Sequence, residues 1–410
     1  MSSMKKSIAL LATILMVLAC HAQKSKFIGV HGPEITGPDG KHFLIKGTNL
    51  GNWLVPEGYM FKFGEISSPR LINEAITELV GPAEASAFWK KYLDTYITAE
   101  DIHYLKSIGV NSIRVPFNYR LFTDEDYLGG RGETRGFMLL DRVIGWCKTE
   151  GLYVILDMHC APGGQTGDNI DDGYGYPFLF ESQENQQLTA TIWKKIAAKY
   201  KSETTVLGYD LLNEPIAHYF DKEKLNPLLE PVFNKIIKAI RTVDTNHIVI
   251  LGGAQWDSNF GIFGPPTDKK AVYTFHKYWT PPTKAVIQEY LDFRDKYKVP
   301  IYCGETGENT DDWVLAFRKM LDSNRVGWHF WPYKKIDNTR GFMTFGVPQF
   351  YTTVMAYADS ARVNFADIRR VKPKNFSEIK QALEGFLTNC QFKHCTPNSG
   401  YISALGFVTK

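Results

Sequence analysis

Tyr209-Asp210-Leu211-Leu212-Asn213-Glu214-Pro215 reads as a short apolar strand running into a polar tip. Val206 and Leu207 precede it, so the strand body can be buried. Asn213 and Glu214 fall where the strand ends, and Pro215 forbids further ladder pairing. A carboxyl at the mouth of a buried strand is partly desolvated, which favours its neutral form and suits it to general-acid work. An Asx-Glu-Pro at a strand end is also a common capped turn, so the tripeptide needs a companion. Glu305 supplies one, in the same position on a later strand.

Outward from this segment the chain alternates short apolar runs with longer helical patterns, as parallel βα units do. The spacing predicts strands at Phe43–Gly47, Ser112–Pro116, Tyr153–Asp157, Leu207–Leu212, Ile248–Leu251, Val272–Phe275, Pro300–Cys303 and Gly327–Phe330. Helical patterns fall between them: Ala99–Ile108 stopped by Gly109, then Leu139–Thr149, Leu188–Tyr200, Pro231–Val243, Thr283–Tyr297 and Trp313–Asn324. Eight such units close an α/β (β/α)8 TIM barrel. Long connections follow strand one (Val55–Tyr96) and strand three (Ala161–Gln187), and on this fold such loops line the active face. The expected organisation is a signal peptide over 1–22, one catalytic barrel over 23–385 with a last helix at Ser377–Leu387, and a packed tail over 386–410.

Lys5 and Lys6, the apolar run Ile8–Leu18 and the small-residue exit Ala19-Cys20-His21-Ala22 form an export signal, cleaved after Ala22. A second reading takes Val17-Leu18-Ala19-Cys20 as an imperfect lipobox with Cys20 lipidated. Either places the protein outside the cytoplasm, periplasmic or extracellular, with no membrane span after the leader. Losing Lys5 and Lys6 brings the formal charge from +3 to +1, so no basic footprint for nucleic acid exists. Aromatic residues make up 14% of the chain and suit neutral, hydroxylated ligands. The six cysteines do not make a disulfide scaffold at this length. Cys147 reads as core, Cys160 and Cys303 lie beside strand tips, and Cys390 and Cys395 are close enough for one local disulfide. A Cys-His-Cys zinc site at 390–395 lacks an evident fourth ligand.

The carboxyl ends of the strands carry Asn49 and Trp53, Arg114 and Asn118, His159, Asn213 and Glu214, His276 and Tyr278, Glu305, and Trp331. Each alone has a bland explanation as an ion-pair partner or core residue. Together they converge on one face of one barrel. Leu212-Asn213-Glu214-Pro215, Tyr302-Cys303-Gly304-Glu305-Thr306-Gly307, Arg114-Val115-Pro116, Asp157-Met158-His159, His276-Lys277-Tyr278 and Phe330-Trp331 resemble the strand-end signature of glycoside hydrolase family 5, the retaining cellulase-type enzymes. The likeness runs roughly from Lys41 to Tyr333. Gly47-Thr48-Asn49-Leu50-Gly51-Asn52-Trp53-Leu54-Val55-Pro56-Glu57 and His159-Cys160-Ala161-Pro162-Gly163-Gly164-Gln165-Thr166-Gly167 are similar to its exo-β-1,3-glucanase branch. Cys160 and the acidic 168–172 segment depart from the usual glucanase loop, which bears on substrate rather than chemistry.

The resemblance implies that Glu214 is the acid/base and Glu305 the nucleophile, with Arg114 and Tyr278 donating to Glu305. It implies that Asn213 binds the sugar 2-hydroxyl, that His159 and His276 bind hydroxyls or orient the acid/base, and that Trp331 offers a flat face. Trp53 and Glu57 would contact the distal end of the sugar. No cofactor or metal is implied: a metal hydrolase on this fold would want paired histidines on strand one, which has none. The expectation is a monomeric β-glycosidase releasing glucose from β-glucan or β-gluco-oligosaccharides, with β-1,3 links favoured. Asp168, Asp171 and Asp172 would accept from terminal hydroxyls, with Tyr174, Tyr176 and Phe178 flanking the leaving sugar. The alternatives are an internal cut in a β-1,4-glucan or related polysaccharide, a transglycosylase, and a non-catalytic carbohydrate-binding barrel.

Overall fold

The computed structural model describes residues 26–409. The export signal, its cleavage after Ala22 and the alternative lipidation of Cys20 lie outside the described residues. Eight parallel strands close a barrel in sequence order. They are β1 (Lys46–Asn49), β2 (Ser112–Asn118), β3 (Tyr153–Cys160), β4 (Val206–Asp210), β5 (Ile248–Gly252), β6 (Ala271–His276), β7 (Ile301–Gly307) and β8 (Gly327–Trp331). All eight expected strands are present, but β1 begins three residues later than its apolar run suggested. Phe43, Leu44 and Ile45 lie below the ladder, and Ile45 joins the barrel interior. β4 stops at Asp210, while Leu211 and Leu212 stay buried beyond the ladder. Gly47 is required by close approach, since a Cβ there would sit 1.9 Å from the Ser112 carbonyl oxygen.

Ile155, Leu207, Ile248, Ile250, Val272 and Tyr302 form an inner core with Ile28 and Ile35. The last two belong to a hairpin, Gly29–His31 paired with Glu34–Thr36, in a region whose sequence is turn-rich. This hairpin plugs the end of the barrel opposite the strand tips. The larger core lies between the barrel and its helices.

The connection after β1 is mostly helical, a feature the hydrophobic pattern did not disclose. Helices Pro69–Val80 and Pro82–Thr95 meet at Gly81 (φ 84°), with the Ser68 hydroxyl capping the first. Phe88 and Tyr92 of the second helix pack outward of the barrel on helix Phe376–Asn389, their rings 6.4 and 6.2 Å from that of Phe386. Only the start of this insertion therefore reaches the mouth. Helix Phe376–Asn389 also crosses the expected 385/386 boundary. The tail beyond it is integral: Thr396–Pro397 pairs with Met343–Phe345, and the Val408 N–H bonds the Ile108 carbonyl at 3.0 Å. Cys390 and Cys395 are free thiols, not the expected disulfide. Both sulfurs turn to carbonyl oxygens at the helix end, Cys390 to Leu387 at 3.6 Å and Cys395 to Gln391 at 3.3 Å. Among the described residues no helix is long and apolar enough to cross a membrane.

Candidate active site

Arg114 on β2 is fully buried and organises the strand tips. Its Nε donates to Asp210 (2.8 Å), Nη1 to Glu305 (2.5 Å) and Asn49 (3.1 Å), and Nη2 to Asn213 (2.9 Å). Nη2 also lies 3.1 Å from Asp157. One guanidinium thus faces three carboxylates, more negative charge than it can neutralise. Burial dominates, and pushes the carboxyls of Asp157 and Asp210 up to about 7 despite Arg114.

Glu305 lies on β7 opposite His276 of β6, at a register shift between Phe275 and His276. Its second oxygen accepts from the Tyr278 hydroxyl at 3.0 Å. Glu214 follows β4 in a left-handed conformation (φ 48°), which for a non-glycine residue costs about 1–2 kcal/mol. The loop after β3 holds it there. Gln165 donates to the Asn213 and His159 carbonyls, both at 2.8 Å, and the Thr166 hydroxyl donates to the Glu214 carbonyl at 2.8 Å. Burial is the main reason the Glu214 carboxyl is pushed up to about 7, against the pull of His159 and Arg114. His276 Nδ1 lies 2.8 Å from Glu214 Oε1 and 3.8 Å from Glu305 Oε2. One oxygen of each glutamate and a ring nitrogen of His276 fall within 4.8 Å of one another.

Burial pushes His276 down to about 3 and His159 down to about 4, so both rings are neutral near pH 7. His159 Nδ1 contacts Asp157 at 2.8 Å, and its ring stacks on Trp331 with centroids 5.7 Å apart. The Trp331 indole N–H donates to the Tyr59 hydroxyl at 2.7 Å. Tyr59 in turn reaches Glu308, which pairs with Lys335. Glu57 is buried beside this network, and one of its carboxyl oxygens has no partner. Burial first, then Glu305, Glu308 and Glu214, push its carboxyl well up.

Glu214, Glu305, His159, His276, Tyr278 and Trp331 line a cleft of about 600 Å³, with Arg114 and Asn213 buried outside its lining. Glu57, Tyr59, Glu308, Asp168, Trp256 and Trp279 complete the lining. Within it Glu57 is buried, at 5% exposure, and Trp279 is 70% exposed. Arg114, His159, Asn213, Glu214, His276, Tyr278, Glu305, Trp331 and Glu57 are therefore brought together. Trp53 is not. Asn52 turns left-handed (φ 63°), and the Trp53 indole is buried with its N–H on the Leu93 carbonyl at 3.0 Å.

The acidic loop also differs from expectation. Asp171 accepts the backbone N–H groups of Thr166, Gly167 and Gly173. Asp172 pairs with Arg120 at 2.5 Å. Both shape the loop, and only Asp168 faces the cleft. Tyr176 and Phe178 pack on each other, and Tyr174 lies under Arg70. Asp157, Asp210, Tyr59, Glu308 and Lys335 were missed as site groups. The pairing of Asp157 with His159, two apart on one strand face, was the signal for the first.

Residues 74–336 match the model of the cellulase family, glycosyl hydrolase family 5. The chain belongs to this family. It is a glycoside hydrolase. It is 33% identical over 256 residues to a beta-xylosidase of Phanerodontia chrysosporium, covering 62% of this chain and 52% of that protein. It is 34% identical over 240 residues to a glucan 1,3-beta-glucosidase of Lachancea kluyveri, covering 53% of each. Endoglucanase C of Acetivibrio thermocellus is 26% identical over 317 residues, covering 62% of this chain and 89% of that protein. The chain thus spans about half the length of the first two relatives and most of the third. The rutinosidase structure from Aspergillus niger shares the fold, with a TM-score of 0.54 at 19% identity over 72% of this chain and 90% of that one.

Proposed function

We propose that the protein is an exported, retaining β-glycosidase that removes glucose from the non-reducing ends of β-glucans or β-gluco-oligosaccharides, with β-1,3 links favoured. The approach of Glu214 and Glu305 within 4.8 Å carries the reading. Retaining enzymes hold the two carboxyls about 5–5.5 Å apart, and inverting ones about 6.5–9.5 Å. Glu305 attacks the anomeric carbon while the Glu214 proton passes to the departing oxygen. Water then attacks the glycosyl ester, giving its proton to Glu214 and freeing the Glu305 carboxylate. The family resemblance gives Asn213 the 2-hydroxyl contact. The buried Glu57 carboxyl in the cleft lining supports capture of a terminal sugar, and the Trp256 and Trp279 rings suit the leaving group. The basic-apolar-small pattern of residues 1–22 supports export.

An internal cut in a β-1,4-glucan is the second reading, favoured by the 89% span of an endoglucanase relative. Early products from laminari-, cello- and xylo-oligosaccharides of defined length separate the two. Glucose alone at early times supports the terminal reading, and a spread of shorter oligomers without glucose overturns it. Nuclear magnetic resonance of the nascent sugar should show the β-anomer; the α-anomer would refute retention. Glu305→Gln should be nearly inactive on every substrate. Glu214→Gln should lose about 10²–10⁴-fold on poor leaving groups and much less on dinitrophenyl glycosides.

A further inference from the structure

Just after β5 the backbone does something the acid/base chemistry above leaves unused. Gln255, Trp256 and Asp257 are three consecutive non-glycine residues with φ of 53°, 57° and 56°. Left-handed residues of this kind cost about 1–2 kcal/mol each and persist where the surroundings over-determine them. This turn carries the Trp256 ring to the cleft and drives Asp257 beneath its floor, fully buried. Gly252 makes the seat, because a Cβ there would lie 1.8 Å from Asp257 Oδ1.

Asp257 Oδ2 accepts the backbone N–H of Glu214 at 3.1 Å, so it pins the left-handed residue that bears the acid. The same oxygen lies 3.3 Å from His276 Nε2, a buried nitrogen that makes no hydrogen bond in this structure. The opposite face of that ring, Nδ1, meets Glu214 Oε1 at 2.8 Å. We propose that Asp257 is a positioning residue for the acid/base group: through His276 and the Glu214 backbone it sets the orientation and charge state that the departing oxygen requires. This rests on Glu214 as the acid/base.

The proton placement follows from charge. Burial, with Asp210 and Glu214 adding to it, pushes the Asp257 carboxyl well up, and the facing imidazole is neutral. A small turn of the neutral carboxyl lets it donate to Nε2, which puts the ring proton on Nδ1 and has Nδ1–H donate to Glu214 Oε1. Oε2 is left to carry the acidic proton toward the sugar. Other groups bear on the same proton: Arg114 of β2 and His159 of β3 draw it off Glu214, and Asp168 opposes them. Glu305 of β7 faces His276, and the Tyr278 hydroxyl is committed to Glu305.

Two measurements test the assignment. Nitrogen-15 spectra of histidine-labelled enzyme, assigned with His276→Gln, should show His276 as the neutral Nδ1–H tautomer; the Nε2–H tautomer would overturn the proton placement and the proposal with it. Asp257→Leu should lower kcat/KM on alkyl or oligosaccharide glycosides ~10-fold or more, leave dinitrophenyl glycosides within ~3-fold, and move the basic limb of the pH profile. Asp257→Asn should recover most of the loss, because its amide N–H can reach Nε2. In the His276→Gln background the Asp257→Leu effect should disappear. Equal loss on both substrate classes with the limb unmoved, or the same loss without His276, would reduce Asp257 to a packing role. Glu214→Gln keeps the two ideas apart: if it fails to discriminate between leaving groups, the acid/base assignment itself is wrong.

Discussion

Glu214 and Glu305 share one cleft and differ in what touches them. Glu305 accepts from Arg114 and Tyr278, whereas the near neighbour of Glu214 is a neutral histidine. With the Glu214 carboxyl pushed up to about 7, its acid form is present below that pH and lost above it. The expected kcat/KM profile therefore falls as pH rises through about 7, and Glu214→Gln should lack that limb; a profile flat to pH 9 in the parent contradicts the assignment. Glu57 makes a separate prediction. Its buried carboxyl lines the cleft, so Glu57→Gln should raise KM for oligosaccharides with less change in kcat. Steady-state kinetics on one oligosaccharide series would check this, and an unchanged KM would remove Glu57 from the binding surface.

At the level of elements, the β3–α connection works as a clasp on the β4 tip. The Gln165 amide donates to two carbonyls while its oxygen accepts the Ala161 N–H at 2.9 Å. All these groups are buried, and leaving one unsatisfied costs about 1–3 kcal/mol. Gln165→Ala should lower stability by at least that amount and also depress kcat, because Asn213 and Glu214 lose their backbone anchor. Thermal unfolding and single-turnover rates measured on the same variant would show both effects; a stability loss with normal turnover would mean the clasp does not position the acid/base.

Across the whole molecule, Lys334 ties distant parts of the chain together. Its ammonium pairs with Asp101 at 2.8 Å and donates to the carbonyls of Tyr96 (2.7 Å) and Cys390 (2.9 Å), all buried. Removing one partner of a buried pair costs about 3–5 kcal/mol, since the other is left charged and dry. Lys334→Ala should therefore unfold at markedly lower denaturant concentration, and Lys334→Met less so because it keeps the side-chain volume. A parent-like midpoint for Lys334→Ala would show the pair to be dispensable. Lys334, three residues past β8, thus joins the end of the insertion, helix Ala99–Ile108 and the tail.

The sequence by itself determined the barrel and the tips of its strands. Apolar runs of strand length separated by helical spacing admit few arrangements, and a polar residue at the end of such a run has nowhere to go but the mouth. Glu214, Glu305, Arg114 and the two histidines were legible for that reason. Tertiary structure alone decided what surrounds them. Asp157 and Asp210 look like ordinary strand residues until three carboxylates meet one arginine. Asp257 gives no local sign, because its role comes from a left-handed turn that no periodicity encodes. Trp53 and Glu57 are four residues apart in one motif, yet one faces the core and the other the cleft, by the turn at Asn52. The insertion helices did leave a signal in Ser68-Pro69 and Gly81-Pro82, but the packing of Phe88 on Phe386 of the last long helix is a contact some 300 residues apart in the chain, which sequence spacing cannot express.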